Sequence, residues 1–480
     1  MAHERKSNYL LKNIFLFFIS SFLPKAITFF MVPLYTYCLS TEQYGTIDLL
    51  TTTIQLLLPF FTLQIQDAVL RFSLDKNYDS GEIFTTALRI VLAGSGLLVC
   101  FCAFGKLLNF IQLDTTYLIM FLLLFFTNAI NIITSYFCRG IDKIRILTIS
   151  NVLHILSTVL CNLLFLLVFK WSIFGYLLAM LIGNITGFLI LFFGAKLYQY
   201  MHFSVYNKTL LKKIIMFSVP MIFSALSWWI NTSLDKYILE YYSGTAAVGL
   251  LAIAYKIPSI IFLFGTAIAN AYAISAIKDF DKNDSDGFLG SSYTMINIVF
   301  TIACSFLMTI NVFVSHILFS KEFFVAWKLV PPLLISAVYN QLSLTCEQYY
   351  IAMKKTKIIS VTAIAGAAIN MVANFLLIPK FSAYGAAAAT AFSFFVVWLI
   401  RYCVLVKYIK LQHSFLAECA SYFFLFIQLL LGIYGTQYVL YQGLICLCIV
   451  GIYAKPLYGY VLAGYARISR MLKKTNEEIS

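Results

Sequence analysis

Apolar residues fill long runs of this chain, and polar residues return at intervals that divide it into segments of nearly constant length. A membrane-spanning helix needs about 20 predominantly apolar residues. Runs of that kind are predicted near 14–39, 46–70, 84–104, 116–138, 146–169, 172–194, 214–234, 246–275, 289–314, 324–352, 358–378, 383–400, 414–434 and 438–461. The pattern predicts an all-α integral membrane protein with about fourteen helices and short loops, none long enough to hold an extramembrane domain.

Composition agrees: 61% of the 480 residues are hydrophobic and 11% are charged, where a soluble domain spends about 25% on charge. Mean hydropathy is +0.88. The net charge of +14 would suit a nucleic-acid partner only on a polar domain with a basic patch, and no such domain exists. It is better read as topology. With the N-terminus inside, the inner segments carry 24 of the 34 Lys and Arg residues and the outer loops five, Lys106, Lys170, Lys236, Lys321 and Lys380. Lys25, Arg89, Lys256, Lys328 and Lys455 fall inside spans. Basic residues mark cytoplasmic loops, so both termini are expected inside. The 11 cysteines lie in or beside apolar runs without CxxC pairs and read as small hydrophobes. Asp279, Asp281, Asp284 and Asp286 lack the glycine and glutamate positions of a calcium loop and are expected to form a solvated acidic loop.

The chain repeats itself. Leu210-Leu211-Lys212-Lys213-Ile214 restates Leu10-Leu11-Lys12-Asn13-Ile14, Lys355-Thr356-Lys357-Ile358 restates Lys143-Ile144-Arg145-Ile146, and Asn374, Lys380 and Gly385 follow Asn162, Lys170 and Gly175. The expected organisation is an N-lobe of six spans (1–194), a cytoplasmic linker (195–213), a C-lobe of six spans (214–412), and two extra spans with a tail (413–480). An axis along the membrane normal would relate the lobes. Parallel repeats of this kind suggest a transporter that rocks around a central site.

Leu39-Ser40-Thr41-Glu42-Gln43-Tyr44-Gly45, Ala68-Val69-Leu70-Arg71-Phe72 and the stretch from Asn374-Phe375-Leu376-Leu377-Ile378-Pro379 to Gly385-Ala386-Ala387-Ala388-Ala389-Thr390 resemble the lipid-linked oligosaccharide (Wzx-like) flippases of the MATE-like MOP superfamily, over nearly the whole chain. The resemblance implies a non-enzymatic exporter in the bacterial inner membrane. Its substrate would be an undecaprenyl-pyrophosphate-linked oligosaccharide, such as an O-antigen, capsule or exopolysaccharide unit, held in a hydrophilic central cavity. Membrane lipids are then partners, nucleic acid is not, and room is left for polysaccharide polymerase machinery. No cofactor or metal is implied.

A charge at mid-membrane costs about 2.5–3.5 kcal/mol on insertion scales and needs a cavity or a partner. Lys25 shares a helical face with Ser21, Thr28 and Tyr35, and Lys256 with Ser259, Thr266 and Asn270. These two lysines are the candidates for holding a diphosphate. The related lipid II flippases also place basic residues in their first and eighth spans. The alternative is that each lysine snorkels or pairs with Asp48 or Asp235.

Asp48, Thr52, Gln55, Pro59, Thr62 and Gln66 follow steps of three and four, one face of the second span, and are expected to line the cavity. Ser224, Trp228, Asn231 and Asp235 share a face of the seventh, where Trp228 or Trp229 could stack on a sugar. Asp67 and Arg71 are expected to pair. Two further stripes, Asn151, His154, Thr158 and Asn162, and Ser336, Asn340, Ser343 and Glu347, read as packing, with titration at His154 or cation binding at Glu347 as the alternative. Pro24, Pro220, Pro258 and Pro331-Pro332 offer bends. The rival function is a cation-coupled multidrug antiporter of the same superfamily, which would place carboxylates rather than lysines deepest.

Overall fold

A computed structural model of the chain describes residues 22–75, 77–201, 207–278, 280–412, 414–434 and 436–459. Ser21, the Leu10–Ile14 half of the first repeat, Lys76, Asp279 and the Asn270 side chain lie outside the described residues. All described secondary structure is helical. The helices are α1 (22–30), α2 (Val32–Cys38), α3 (Thr41–Phe61), α4 (Gln66–Ser73), α5 (Ser80–Leu107), α6 (Thr115–Gly140), α7 (Ile144–Asn162), α8 (Ser172–Gly194), α9 (Lys208–Ser243), α10 (Thr245–Ala254), α11 (Ser259–Lys278), α12 (Phe288–Leu318), α13 (Val330–Ala352), α14 (Thr356–Leu405), α15 (Phe415–Tyr434) and α16 (Val439–Ile452).

Among the described residues eight helices are long and apolar enough to cross a membrane, or eleven when each bent pair is one span. The bent pairs are α3 with α4 (55°), α10 with α11 (51°), and the 3-10 segment Lys321–Lys328 with α13 (52°). α14 runs through the place where two spans were expected, but Ser382 (φ 52°, ψ −135°) is non-helical and kinks it into two limbs. The all-helical expectation holds, and the count is supported as far as eleven.

The chain forms two compact units. The first comprises Met1–Ile253 with Leu318–Phe323 and Ile378–Ala383. Its core lies where α4, α5 and α6 meet the start of α9: Ile65, Val69, Ile83, Phe84, Phe137, Leu210 and Ile214 are buried there, with Phe84 and Phe137 stacked at 4.6 Å. Small residues let α8 lie close to α7, where Ser150 donates to the Gly187 carbonyl at 2.8 Å. Gly94 sits against the Phe61 carbonyl, leaving no room for a Cβ. The linker belongs to this unit, since Leu197 is buried in the core and Asn207 donates to Glu82 at 2.9 Å.

The second unit comprises Ala254–Ile317, Phe324–Leu377 and Tyr384–Ser480. An aromatic cluster centres on Trp398, whose indole donates to the Tyr293 hydroxyl at 3.1 Å and whose ring meets Tyr339, Tyr402 and Tyr422. α15 and α16 are fastened to α12 by polar side chains. Gln428 accepts from Ser305 at 2.8 Å and donates to the Ser305 carbonyl, the Thr309 hydroxyl and the Gln442 carbonyl. The acidic loop is only partly solvated, a correction to expectation: Asp284 is fully buried. Its carboxylate caps α12 through the amides of Leu289 and Gly290 and binds the Gln412 amide. Asp281 is only half-buried, and the Ser285 hydroxyl and loop amides hold its carboxyl below the usual range.

The repeat shows in the backbone. Ser172 and Ser382, related by the offset of 210 that relates Gly175 to Gly385, both take left-handed φ angles, 47° and 52°, unusual for non-glycine residues.

Candidate functional site

Three charged residues of the first unit, Asp48, Asp235 and Lys236, meet at the seam between α3 and α9. Ser40 starts α3 with a capping box, its hydroxyl accepting from the Gln43 amide, and this sets the register that brings Asp48 and Thr52 to the seam. α9 is 36 residues long, about 54 Å at 1.5 Å per residue, so it overruns a hydrocarbon core of about 30 Å. The seventh span was expected to end at residue 234 with Lys236 in a loop. Instead the helix continues and carries Lys236 against α3.

The Lys236 ammonium lies 2.8 Å from the Asp48 carboxylate and donates to the Thr52 hydroxyl at 3.3 Å. Asp235, 4% exposed, accepts the Lys236 backbone amide at 3.0 Å. Trp229 donates to the Thr52 carbonyl at 3.1 Å, and the Thr53 and Tyr237 hydroxyls are 2.6 Å apart. The Lys236 ammonium thus pairs with one carboxylate, Asp48, while Asp235 holds only its backbone amide, and truncating either member of the Lys236–Asp48 pair would strand a charge. Lys236 was missed as a site residue because a basic residue just past an apolar run reads as a loop charge. Its neighbour Asp235 and the stripe ending there were the available signal.

The expected second-span face is interrupted. Thr52 is buried in the seam, Gln55 is exposed, and Pro59 is buried two residues before the helix ends. Thr62 is buried too, but its hydroxyl is used by the Leu58 carbonyl at 2.7 Å. Leu63 and Gln64 then take positive φ angles, and Gln66 begins α4 after the bend. A single face therefore holds from Asp48 to Pro59 and does not continue to Gln66. Asp67 and Arg71 form no ion pair among the described residues, a correction, and Arg71 is exposed.

α9 packs at both ends and stands clear between them. Leu210, Ile214 and Ser218 are buried near its start and Trp229, Ser233, Asp235, Ile238 and Leu239 near its end. Phe223, Ser224, Ser227 and Trp228 are exposed, Trp228 at 69%. Asn231 is half-buried and donates back to the Ser227 carbonyl at 3.0 Å. The expected Ser224, Trp228, Asn231 and Asp235 face thus passes from open to buried along the helix.

Lys25 is exposed and forms no hydrogen bond or ion pair with any described residue. Lys256, in the second unit, is half-buried in the turn of residues 255–258 between α10 and α11. Its carbonyl accepts the Ser259 hydroxyl. Irregular backbone at membrane depth is tolerated where protein covers it or where it lines a watery cavity, and this turn is such a place.

Repeat-related asparagines share an environment. Asn162 and Asn374 are both fully buried; Asn162 donates to Tyr35 at 3.4 Å and Asn374 to Asn370 at 2.9 Å. Each keeps a buried side-chain oxygen without a hydrogen-bond partner among the described residues. His154 packs against Gly183 and Gly187. Glu347 is paired: Arg401, 5% exposed, reaches it at 3.0 Å. Arg401 also donates to Ser343, Thr362 and the Ile359 carbonyl.

Among the described residues the fold is thus all-helical, with eight helices, or eleven counting the bent pairs, long and apolar enough to cross a membrane, and with a charged seam held between α3 and α9. The chain belongs to the polysaccharide biosynthesis protein family, whose model matches residues 10–274. The lipid II flippase MurJ in an inward closed conformation is similar in structure, with a TM-score of 0.69 at 17% identity, covering 93% of this chain and 100% of that one. An inward-facing multidrug resistance MATE family transporter of the MOP superfamily gives 0.63 at 12% identity over 80% and 94%. A MOP superfamily transporter from Pyrococcus furiosus, described as having a binding pocket of reverse polarity, gives 0.55 at 12% over 83% and 96%. A search of curated proteins finds no match to the chain.

Proposed function

We propose that this protein moves an undecaprenyl-pyrophosphate-linked oligosaccharide from the inner to the outer leaflet of the bacterial cytoplasmic membrane by alternating access, with fourteen spans and both termini inside. The observation that carries the proposal is the polysaccharide biosynthesis family match over residues 10–274. The O-antigen, capsule and exopolysaccharide units share the chemistry that matters: a polar glycan, a diphosphate, and a polyprenyl tail that stays in lipid. Lys25, exposed and unpaired among the described residues, and Lys256, at the α10–α11 turn, are the proposed diphosphate contacts. Gln55 of α3 and Trp228 and Asn231 of α9 are proposed to line the glycan path, whereas Thr52 and Thr62 are committed to packing and Gln66 lies beyond the bend.

Asp48 and Asp235 take a different part. Asp48 is paired with Lys236, so neither member of that pair is proposed to meet the substrate. The multidrug reading would instead want accessible carboxylates. Complementation of a strain lacking its flippase tests the assignment. Lys25→Ala and Lys256→Ala should each lower surface glycan by about tenfold, the cost of roughly one charge-assisted contact, and Arg at either position should restore most of it. Full export by both alanine variants would overturn the lysine assignment. Drug resistance without glycan export would favour the antiporter.

A further inference from the structure

Two helix starts from the two halves of the repeat meet at a pair of glycines. Thr41 and Gly45 open α3; Thr245 and Gly249, at an offset of 204, open α10. A Cβ on Gly45 would fall inside contact of the Thr245 carbonyl oxygen and 2.9 Å from the Gly249 amide nitrogen. A Cβ on Gly249 would fall inside contact of the Thr41 carbonyl oxygen and 3.0 Å from the Gly45 amide nitrogen. The contact is reciprocal: each helix offers the carbonyl of its threonine to the bare Cα of the other's glycine, the small-xxx-small crossing through which membrane helices come closest.

A second set of contacts bolts the same corner. The Glu322 carboxylate accepts the Thr41 amide at 2.8 Å. The Thr36 hydroxyl donates to the Leu318 carbonyl at 2.9 Å and accepts the Ser320 amide at 3.1 Å. Lys321 donates to the Tyr37 carbonyl at 2.7 Å and lies over the Tyr37 ring, while Tyr44 meets Phe323 edge to face at 6.0 Å. Apart from the Tyr44–Phe323 ring contact, these partners are polar and can exchange for water. Such a joint is tight when shut, and its polar bonds can be remade with water when it parts.

We propose that the Gly45–Gly249 crossing, with the Glu322, Thr36 and Lys321 bonds around it, is the closure that bars the outer exit and must part for the head group to leave. The proposal rests on the transporter reading and on the loop-charge orientation, which puts the starts of α3 and α10 at the outer face. Its residues are gating residues for translocation, distinct from those proposed to hold the diphosphate.

Cysteine accessibility in right-side-out cells tests the proposal without substrate, so its outcome is independent of the glycan assignment. In a variant whose native cysteines are replaced, Val248→Cys, fully buried beside Gly249, should react slowly with a membrane-impermeant maleimide. Adding Gly45→Ala or Gly249→Ala should speed labelling about tenfold, the effect of one methyl forced into a close-packed contact. Glu322→Gln should give a smaller increase in the same direction. A second probe, Leu98→Cys, fully buried in α5, should stay protected in every variant, separating opening from unfolding. Unchanged labelling in both alanine variants, acceleration only from the cytoplasmic side, or loss of protection at both probes would overturn the proposal. Loss of export with the labelling pattern as expected would instead count against the flippase reading alone.

Discussion

Arg401 is the most heavily committed charge among the described residues. Its guanidinium reaches Glu347, Ser343, Thr362 and the Ile359 carbonyl, and the Tyr350 hydroxyl donates to its own carbonyl at 2.5 Å. The planar fork serves α13 and both limbs of α14 at once, which a lysine cannot do. Arg401→Ala should lower stability by about 3–5 kcal/mol, because it strands Glu347 and leaves buried acceptors without donors. Arg401→Lys should cost less, keeping the charge but losing the fork. Thermal unfolding in detergent, followed by tryptophan fluorescence, would check this, and equal midpoints for wild type and alanine would refute it. From the sequence Arg401 looked like an inner-loop charge, since the apolar run ends at Ile400. The helix continues to Leu405, and the acceptors that draw the side chain inward come from residues some 40 and 58 positions away. Lys236 escaped for the same reason. Charge counting locates a residue along the chain but says nothing of a partner on another helix.

At the scale of elements, the apolar runs were legible because the membrane demands their length. Their interruptions were less so. The stepwise polar face of the second span looked continuous from Asp48 to Gln66, yet the positive φ angles at Leu63 and Gln64 break it, and neither residue type signals such a turn. Pro258 did mark the α10–α11 break. The two final helices read as additions to a twelve-span plan, whereas Gln428 fastens them to α12 with both ends of its amide. Gln428→Ala would leave the buried Ser305 hydroxyl without its acceptor, while Thr309 still bonds the Ser305 and Gln442 carbonyls, at about 1–3 kcal/mol for an orphaned buried group. Gln428→Leu should lose a similar amount despite its better fit to lipid. Limited proteolysis should therefore release the segment after residue 412 faster in both variants. Cleavage at the wild-type rate would mean that apolar packing alone holds α15 and α16.

For the whole molecule, the +14 net charge lies mostly in the segments proposed to face inward, and the few charges kept within spans are those proposed to bear on transport. Moving an anion outward runs with a membrane potential that is negative inside, by about 2.3 kcal/mol per charge per 100 mV. A diphosphate head group that crossed with its charge uncompensated would gain that energy. Lys25 and Lys256, fixed to their helices, would lower the barrier without cancelling the net charge that leaves. Export into proteoliposomes should consequently quicken as an inside-negative potential is raised with no proton or sodium gradient present. Lys25→Ala with Lys256→Ala should slow it at every potential. The measurement is the initial rate of appearance of the lipid-linked glycan in the outer leaflet against the imposed potential. A flat response would mean that a counter-moving cation balances the anion. Asp48 and Asp235, flanking Lys236, would then be the carboxylates to examine first, because a cation taken up there must displace the lysine that now occupies the seam.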